Sequence, residues 1–283
     1  MKLGYIDDVK LLLLGCGNMG SALLQGWLEN GFQLSNLTIS DPYPSTYVKE
    51  LEIRGAAVNP DQIAQPHVVI LAVKPQMLEA VTPTLSAFNN GETLFVSIAA
   101  GIHIEVIQGM LGHNAPVLRA VPNIPAIIGK GVTAYAAAQS VTATQRALAE
   151  TLLSTSGKTV YLSNEKDIDA VTALSGSGPA YIFHMIEAMA AAGEALGLCA
   201  EVSMVLAKAT VEGAGALANC SEQTVSTLRE NVTSPNGTTA AGLDVLMNSS
   251  NGLSKLMAVT MQAANDRSIA LGSVEKFLKV NAT

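Results

Sequence analysis

The fold of this chain is decided by the stretch GCGNMG at residues 15–20, which follows a short apolar segment at residues 9–14. It fits the pattern G-x-G-x-x-G between a predicted strand and a predicted helix that ends at Asn30. In this pattern the first glycine allows a tight turn, the second lets a pyrophosphate approach the backbone, and the third lets helix and strand pack closely. The motif predicts a dinucleotide-binding loop; the alternative is a turn with a purely structural role.

The first half of the chain alternates between short apolar strands and helices. Strands are predicted at residues 9–14, 37–40, 67–73, 93–98, 117–120 and 132–135, and helices at residues 18–30, 48–53 and 77–88. Apolar strands separated by helices indicate a parallel sheet that is covered on both faces. The predicted fold class is therefore α/β, with a doubly wound parallel sheet of Rossmann type in the N-terminal half.

The residue composition and the predicted secondary structure change after about residue 164. Strand residues are predicted up to residues 160–162, and the rest of the chain is rich in alanine and glycine, with helices predicted at residues 179–196, 203–219, 238–247 and 253–271. Small residues suit helices that pack closely, both within a chain and across subunits. We predict a dinucleotide-binding domain over residues 1–165 and an all-α domain over residues 166–283.

The composition of the 283-residue chain excludes several classes of protein. Apolar residues make up 49% and charged residues only 14%, whereas an average soluble domain has about 25% charged residues. This excludes a disordered chain, and no uninterrupted apolar run is long enough for a membrane span. The depletion is concentrated in residues 185–215, which contain five charged residues among 31. We expect a homo-oligomer with an extensive helix–helix interface.

Charge and cysteine content indicate a small-molecule enzyme or binding protein of the cytoplasm. The formal net charge of −7 argues against nucleic acid as a partner, and a polybasic membrane anchor is not found. The three cysteines are far apart and odd in number, which favours reduced thiols. Asp7 and Asp8 stand where an export signal would be apolar, so we expect no export. Neither the cysteines nor the scattered histidines have the spacing of a metal site.

Candidate binding residues follow three of the predicted strands. Asp41 ends the second strand and is interpreted either as an acceptor for the ribose 2′-OH of the dinucleotide or as a turn-forming residue before proline. Lys74 follows the strand at residues 67–73 and is either functional or a solvated loop lysine. The small residues at 97–101 leave room for a flat ring.

In the helical half, the sequence SPNGTT at residues 234–239 precedes an alanine-rich helix. Its turn and helix start offer backbone N–H groups and hydroxyls to an anion such as a small carboxylate. The residue types alone favour an ordinary N-cap over an anion site, because Ser, Thr and Asn caps are common.

Six segments taken in order resemble the pyrroline-5-carboxylate reductase family over about residues 11–270: GCGNMG, AVKPQ, SIAAGI, RAVPNIPA, DAVTALSGSGPAYIF and NVTSPNGTTAAGLDVL. The resemblance implies the last step of proline biosynthesis, in which NADPH or NADH transfers a hydride to the C=N carbon of Δ1-pyrroline-5-carboxylate and L-proline is formed. It also implies a helical domain that forms an interlocked homodimer, a site completed by the second subunit, and dimers that assemble into larger rings.

The resemblance also assigns individual residues. It places the cofactor on Gly15, Gly17, Asn18, Met19, Gly20, Asn59, Ala72, Val73, Lys74, Pro75, Ala99, Ala100 and Asn231. The substrate contacts that it implies are Glu165, Glu222, Ser234, Gly237, Thr238 and Thr239. The Thr239 hydroxyl is the candidate catalytic group, close to the ring nitrogen, where we interpret it as a polar orienter more than as an acid.

Two positions depart from the family pattern. Asn236 replaces the first of two usual glycines, and asparagine tolerates the left-handed conformation that the turn needs. Asp41 stands where many relatives carry small residues that accept a 2′-phosphate, so we expect NADH to be used at least comparably with NADPH.

The sequence leaves two alternatives to the reductase. One is a relative of the β-hydroxyacid dehydrogenases, for which Lys208 is the candidate catalytic lysine. The other is a dinucleotide-sensing protein without turnover. The threonine-rich turn argues against both alternatives. A sensor in particular needs no second anion site.

Overall fold

A computed structural model describes residues 8–272 of the chain. Residues 1–7, which include Asp7 and most of the segment expected to exclude export, lie outside the described residues. Among residues 8–272, no helix is long and apolar enough to cross a membrane.

Eight strands form a single sheet in the order β3-β2-β1-β4-β5-β6-β7-β8. Their bounds are β1 (Leu11–Leu14), β2 (Leu37–Ser40), β3 (Ala57–Val58), β4 (Val68–Leu71), β5 (Leu94–Ser97), β6 (Val117–Val121), β7 (Gly131–Ala137) and β8 (Gly157–Tyr161). Strand β1 is parallel to both β2 and β4, with Leu14 opposite Ser40 on one side and Leu71 on the other. Strands β1, β4 and β5 are buried at every position. The α/β fold with a Rossmann-type sheet is confirmed.

The helices are α1 (Asn18–Glu29), α2 (Thr46–Ile53), α3 (Leu78–Leu85), α4 (Ile104–Leu111), α5 (Ala143–Ser154), α6 (Asp167–Val171), α7 (Gly178–Ala195), α8 (Ala200–Cys220), α9 (Val225–Asn231), α10 (Thr238–Leu246) and α11 (Leu253–Gly272). The sequence prediction lacks β3, α4, α5, α6 and α9. Most of these are short, with too few turns for a clear apolar period. Helix α5 has a readable signal, since Thr142 and Gln145 form a capping box at its start.

One part of the sheet differs from the predicted all-parallel arrangement, because β7 is antiparallel to β6. Only residues 122–130 connect the two strands, and much of that connection is the 3-10 turn Ile124–Ile128. A parallel pair needs a crossover of a dozen or more residues, so this short connection forces the chain to reverse. The longer connection through α5 then allows β8 to run parallel to β7.

Helices pack on both faces of the sheet and create two apolar cores. Trp27 on α1 is fully buried, and its indole N–H donates to the Leu152 carbonyl on α5 at 3.0 Å. This bond satisfies the one polar atom of the indole while its ring fills the core. The helix that follows the glycine motif is therefore fixed firmly against the sheet.

The described chain divides into two compact units. The first contains residues up to Gly176 and residues from Ala264 onward, and the second contains Ser177–Ala263. These limits differ from the predicted domain boundary at 165/166, because α6 and the last turns of α11 group with the first unit. Thus Ser268 on α11 donates to the Asp169 carboxylate on α6 at 2.6 Å. Beyond Tyr161, the structure contains no strand up to residue 272, as predicted.

Candidate active site

The glycine motif has the geometry of a dinucleotide-binding loop. Gly15 has φ +81°, and a Cβ at this position would lie 2.8 Å from the Ala72 carbonyl oxygen. A Cβ at Gly20 would lie 2.5 Å from the Gly15 carbonyl oxygen. Around Gly17 a Cβ would meet no atom within 4 Å. The first and third glycines are therefore needed by the fold, whereas the second leaves open space in front of the backbone, where a phosphate fits.

The N-terminus of α1 is open toward the same space. Its N-cap is Gly17, and within residues 8–272 no side-chain hydrogen bond caps this end of the helix. The unpaired N–H groups and the helix dipole favour an anion there. Burial raises the pKa of the neighbouring Cys16 thiol, so this group stays protonated and adds no negative charge against a phosphate.

The carboxylate of Asp41 accepts hydrogen bonds from the backbone of the glycine loop and from the backbone of its own turn. Its Oδ2 accepts from the Cys16 amide at 2.7 Å, and its Oδ1 accepts from the Tyr43 amide at 2.8 Å. The second bond is the turn-forming interaction that the sequence offered as an alternative. Asn59, in a left-handed conformation with φ +46°, bonds the Asp41 backbone through both side-chain atoms. The structure thus brings together Asp41 and Asn59, which are 18 residues apart, beside the glycine loop.

The predicted cofactor segments meet at the carboxyl ends of three adjacent strands. The glycine loop follows β1, residues 72–75 follow β4, and Ala99 and Ala100 follow β5. The strand order reverses between β1 and β4, which is the topological switch point where open α/β sheets bind their ligands. Lys74 is exposed there. The open cradle at Gly17 and this placement fit a dinucleotide cofactor.

Glu165 lies in a polar cluster of the first unit that the sequence reading missed. Its Oε1 accepts from the Arg119 guanidinium Nη1 and from the Ile104 amide, each at 2.9 Å. His103 Nδ1 lies 3.1 Å from the same Nη1. The sequence does contain a signal for this cluster. The strand VLRAV has a single arginine among apolar residues, and a charge at a buried strand position requires a partner.

The turn before α10 keeps an open helix start in the second unit. Asn236 has φ +58°, so it adopts the left-handed conformation expected for the usual glycine. The Gly237 amide donates to the Ser234 carbonyl at 3.0 Å. Gly237 is the N-cap, and in the described part of the chain no side-chain hydrogen bond caps the first turn. The ordinary side-chain N-cap that residue types favoured is therefore not formed, and Thr238 and Thr239 occupy the exposed first turn.

The remaining candidate residues lie on or near α9, also in the second unit. Glu222 is exposed just before this helix. Asn231 ends it and donates through Nδ2 to the Gln223 side chain at 3.0 Å. All predicted cofactor residues except Asn231 lie in the first unit, and all predicted substrate residues except Glu165 lie in the second.

Helices α7 and α8, together with the C-cap residue of α7, expose many apolar side chains in a single chain. Leu196, Val205, Leu206 and Leu217 are 88%, 60%, 51% and 56% exposed. An exposed apolar surface of this kind marks a protein–protein interface. It falls in and beside the charge-depleted residues 185–215 and favours the expected oligomer.

Comparisons with known proteins agree with this geometry. A family model described as pyrroline-5-carboxylate reductase dimerisation matches residues 165–271, and one described as NADP oxidoreductase, coenzyme F420-dependent, matches residues 10–101. The curated pyrroline-5-carboxylate reductase of Pseudomonas aeruginosa is 39% identical over 265 residues, which cover 93% of this chain and 96% of the relative. That of Haemophilus influenzae is 36% identical, covering 83% and 88%.

Solved structures give the same result. A pyrroline-5-carboxylate reductase from Coxiella burnetii superposes with a TM-score of 0.88 at 33% identity and covers 94% of this chain and 99% of its own. The Plasmodium falciparum enzyme with NADP bound has a TM-score of 0.80 at 28% identity, covering 94% and 99%. An NADH-preferring ketol-acid reductoisomerase from an uncultured archean shares only the fold. Its TM-score is 0.63 at 13% identity, and the match covers 98% of this chain and 88% of that chain.

The Rossmann sheet, the open glycine cradle and the helical second half define an NAD(P)H-dependent oxidoreductase that forms homo-oligomers. The identity to curated relatives over nearly the whole chain then specifies which one. The chain belongs to the pyrroline-5-carboxylate reductase family, whose reaction belongs to proline biosynthesis. This membership decides against the β-hydroxyacid dehydrogenase and the non-catalytic sensor.

Proposed function

We propose that this chain reduces Δ1-pyrroline-5-carboxylate to L-proline on two open helix N-termini, one for each anionic partner. The observation that carries the proposal is the pair of uncapped helix starts: α1 behind the glycine loop and α10 behind the SPNGTT turn, both with glycine as N-cap. The N-terminus of α1 takes the pyrophosphate, and that of α10 takes the substrate carboxylate. NAD(P)H, when bound, supplies the hydride.

The residues of this chain contribute mainly orientation. A substrate carboxylate held by the N–H groups at the start of α10 fixes the imine carbon in one position, and such orientation supplies a large part of the rate gain. The Thr239 hydroxyl oxygen then accepts a hydrogen bond from the protonated ring nitrogen of the substrate. A protonated imine is the better hydride acceptor, so a group that keeps the proton in place favours the reaction.

The assay that tests the proposal is oxidation of NADH and of NADPH by the purified chain on addition of pyrroline-5-carboxylate. We expect turnover that depends on the substrate and yields L-proline. Absence of turnover with both cofactors would contradict the proposal.

Replacing Thr239 by alanine is expected to lower kcat/KM for pyrroline-5-carboxylate at least tenfold with little change in NAD(P)H affinity. The hydroxyl contacts the substrate and not the cofactor in the proposed arrangement, and one lost hydrogen bond to a charged group costs about 1.5–3 kcal/mol. Steady-state kinetics and a cofactor titration check this. Thr239→Ser, which keeps the hydroxyl, is the matched control, and unchanged kinetics for the alanine variant would reject the role.

Asp41 gives a second prediction, on cofactor choice. A carboxylate beside the ribose repels a 2′-phosphate, so we expect kcat/KM for NADH at least equal to that for NADPH. Asp41→Ser is expected to shift the ratio toward NADPH and to weaken the binding of both cofactors, because the Cys16 amide loses its acceptor. A strong NADPH preference of the unmodified protein in the same assay would be the opposite result.

The assembly and the location complete the proposal. We propose that residues 166–283 form an interlocked homodimer that completes the site, that residues 1–165 bind the cofactor, and that dimers form a larger ring in the cytoplasm. The apolar side chains exposed on α7 and α8 support the dimer. Light scattering coupled to size exclusion measures the mass, and a monomer at assay concentration would count against it.

A further inference from the structure

Helix α4 begins without a cap from its own sequence. Its N-cap is His103, whose side chain accepts no hydrogen bond from the first turn. The Ile104 amide donates instead to Glu165 Oε1 at 2.9 Å, across a separation of 61 residues in the chain. A carboxylate at this position satisfies an orphan N–H and stabilises the positive end of the helix dipole. Glu165 therefore acts as the cap of α4.

The same carboxylate balances a buried cation. Arg119 on β6 is 2% exposed, and its Nη1 lies 2.9 Å from Glu165 Oε1. Its strand neighbour is Ser97, the last residue of β5. His103 Nδ1 lies 3.1 Å from the same Nη1 and 3.4 Å from Glu165 Oε1, so it belongs to the same cluster. Glu165 Oε1 is the charge partner of Arg119, and a buried charge that loses its partner is strongly destabilising.

The segment between Ser97 and Ile104 contains Ala99 and Ala100, the residues that the family resemblance assigns to the cofactor. The Ser97 hydroxyl accepts from the Ala99 amide at 3.3 Å at the start of the segment. In the middle, Gly101 has φ +76°, and a Cβ there would lie 3.3 Å from the Leu271 backbone. At the end, Glu165 holds the Ile104 amide. The segment is thus fixed at its start, at its middle and at its end.

From this geometry we infer that Glu165 is a positioning residue for the cofactor: it fixes the loop at residues 98–103 through Arg119 and the start of α4. The inference deepens the proposed function and rests on it for the place of Ala99 and Ala100 beside the cofactor. It gives Glu165 a role toward the cofactor in addition to the substrate contact that the family resemblance implies.

The test separates affinity for the cofactor from affinity for the substrate. Glu165→Ala is expected to raise the Kd for NADH about tenfold, measured by fluorescence titration without substrate. Glu165→Gln is expected to recover most of the lost NADH affinity, because its amide oxygen accepts from the same two donors. Glu105→Ala is the matched control, since Glu105 is an exposed carboxylate in the first turn of the same helix; its NADH Kd is expected to stay unchanged.

The opposite pattern would overturn the inference: an unchanged NADH Kd in Glu165→Ala, together with a raised KM for the substrate in both Glu165 variants. If the alanine variant fails to fold, the double variant Arg119→Met with Glu165→Ala removes the stranded guanidinium. It is expected to show the same tenfold weaker NADH binding, and normal binding would equally overturn the inference. The NADH Kd is measured without substrate, so it tests the role of Glu165 alone. A failure of the proposed reaction would show separately, as absence of turnover in the unmodified protein.

Discussion

Gly17→Val is expected to remove high-affinity cofactor binding while leaving the stability of the fold intact. A Cβ at Gly17 meets no protein atom within 4 Å, and the residue has φ −71° and ψ −165°, an extended conformation that valine adopts readily. The added side chain therefore starts in the open space that is proposed for the pyrophosphate. Its effect falls on the cofactor and not on the packing of the apoprotein.

The expected loss is on the order of a hundredfold in the Kd for NADH and NADPH. Displacing the phosphates breaks about two charge-assisted hydrogen bonds, each worth roughly 1.5–3 kcal/mol, and about 1.4 kcal/mol corresponds to a factor of ten. Titration of NADH fluorescence gives the Kd, and thermal unfolding of the apoprotein gives the Tm. An unchanged Kd would show that the phosphates do not bind at this loop.

Two other glycines serve as controls for this variant. Gly109 on α4 also has no atom within 4 Å of a Cβ and is not among the predicted cofactor residues, so Gly109→Val is expected to keep both Tm and Kd. Gly20→Ala is expected to lower the Tm as well as the affinity, because its Cβ would lie 2.5 Å from the Gly15 carbonyl oxygen. A Gly17→Val protein that loses as much Tm as Gly20→Ala would contradict the open cradle.

Thr238→Asp is expected to lower kcat/KM for pyrroline-5-carboxylate by on the order of a hundredfold or more, without loss of stability. Two like charges about 4 Å apart near a protein surface repel by about 4 kcal/mol, and the substrate carboxylate is proposed to bind at this helix start. The same aspartate is favourable for the helix itself, since an acidic side chain in the first turn stabilises the dipole by about 0.3–1 kcal/mol. Function and stability should therefore change in opposite directions.

Thr238→Asn is the matched control, because it has nearly the same size as aspartate and no charge. We expect its kcat/KM to remain well above that of the aspartate variant and its Kd for NADH to equal that of the unmodified protein. Steady-state kinetics, NADH titration and Tm decide the outcome. Similar kinetics for the aspartate and asparagine variants would show that the substrate carboxylate binds elsewhere.

The local structure was largely predictable from the sequence. The strand at residues 37–40 is observed as β2 with the same bounds, and the helix predicted after the glycine motif ends at Glu29 with Gly31 in a left-handed conformation. These elements have strong local signals in the sequence: apolar runs, a glycine after the helix, and a motif in which each glycine has its own structural role. The antiparallel β7 was missed because strand direction depends on the length and path of a connection.

The sequence by itself determined the class of protein: the order of strand, glycine loop and helix sets the cofactor fold, and the ordered family segments set the reaction. Only the tertiary structure decided what the individual polar groups do. It placed Asp41 on the Cys16 amide, left α10 without a side-chain cap, and committed Glu165 to a buried arginine and to the start of another helix. The physical reason is that hydrogen-bond and ion-pair partners far apart in the chain are selected by burial in three dimensions, which no local pattern encodes.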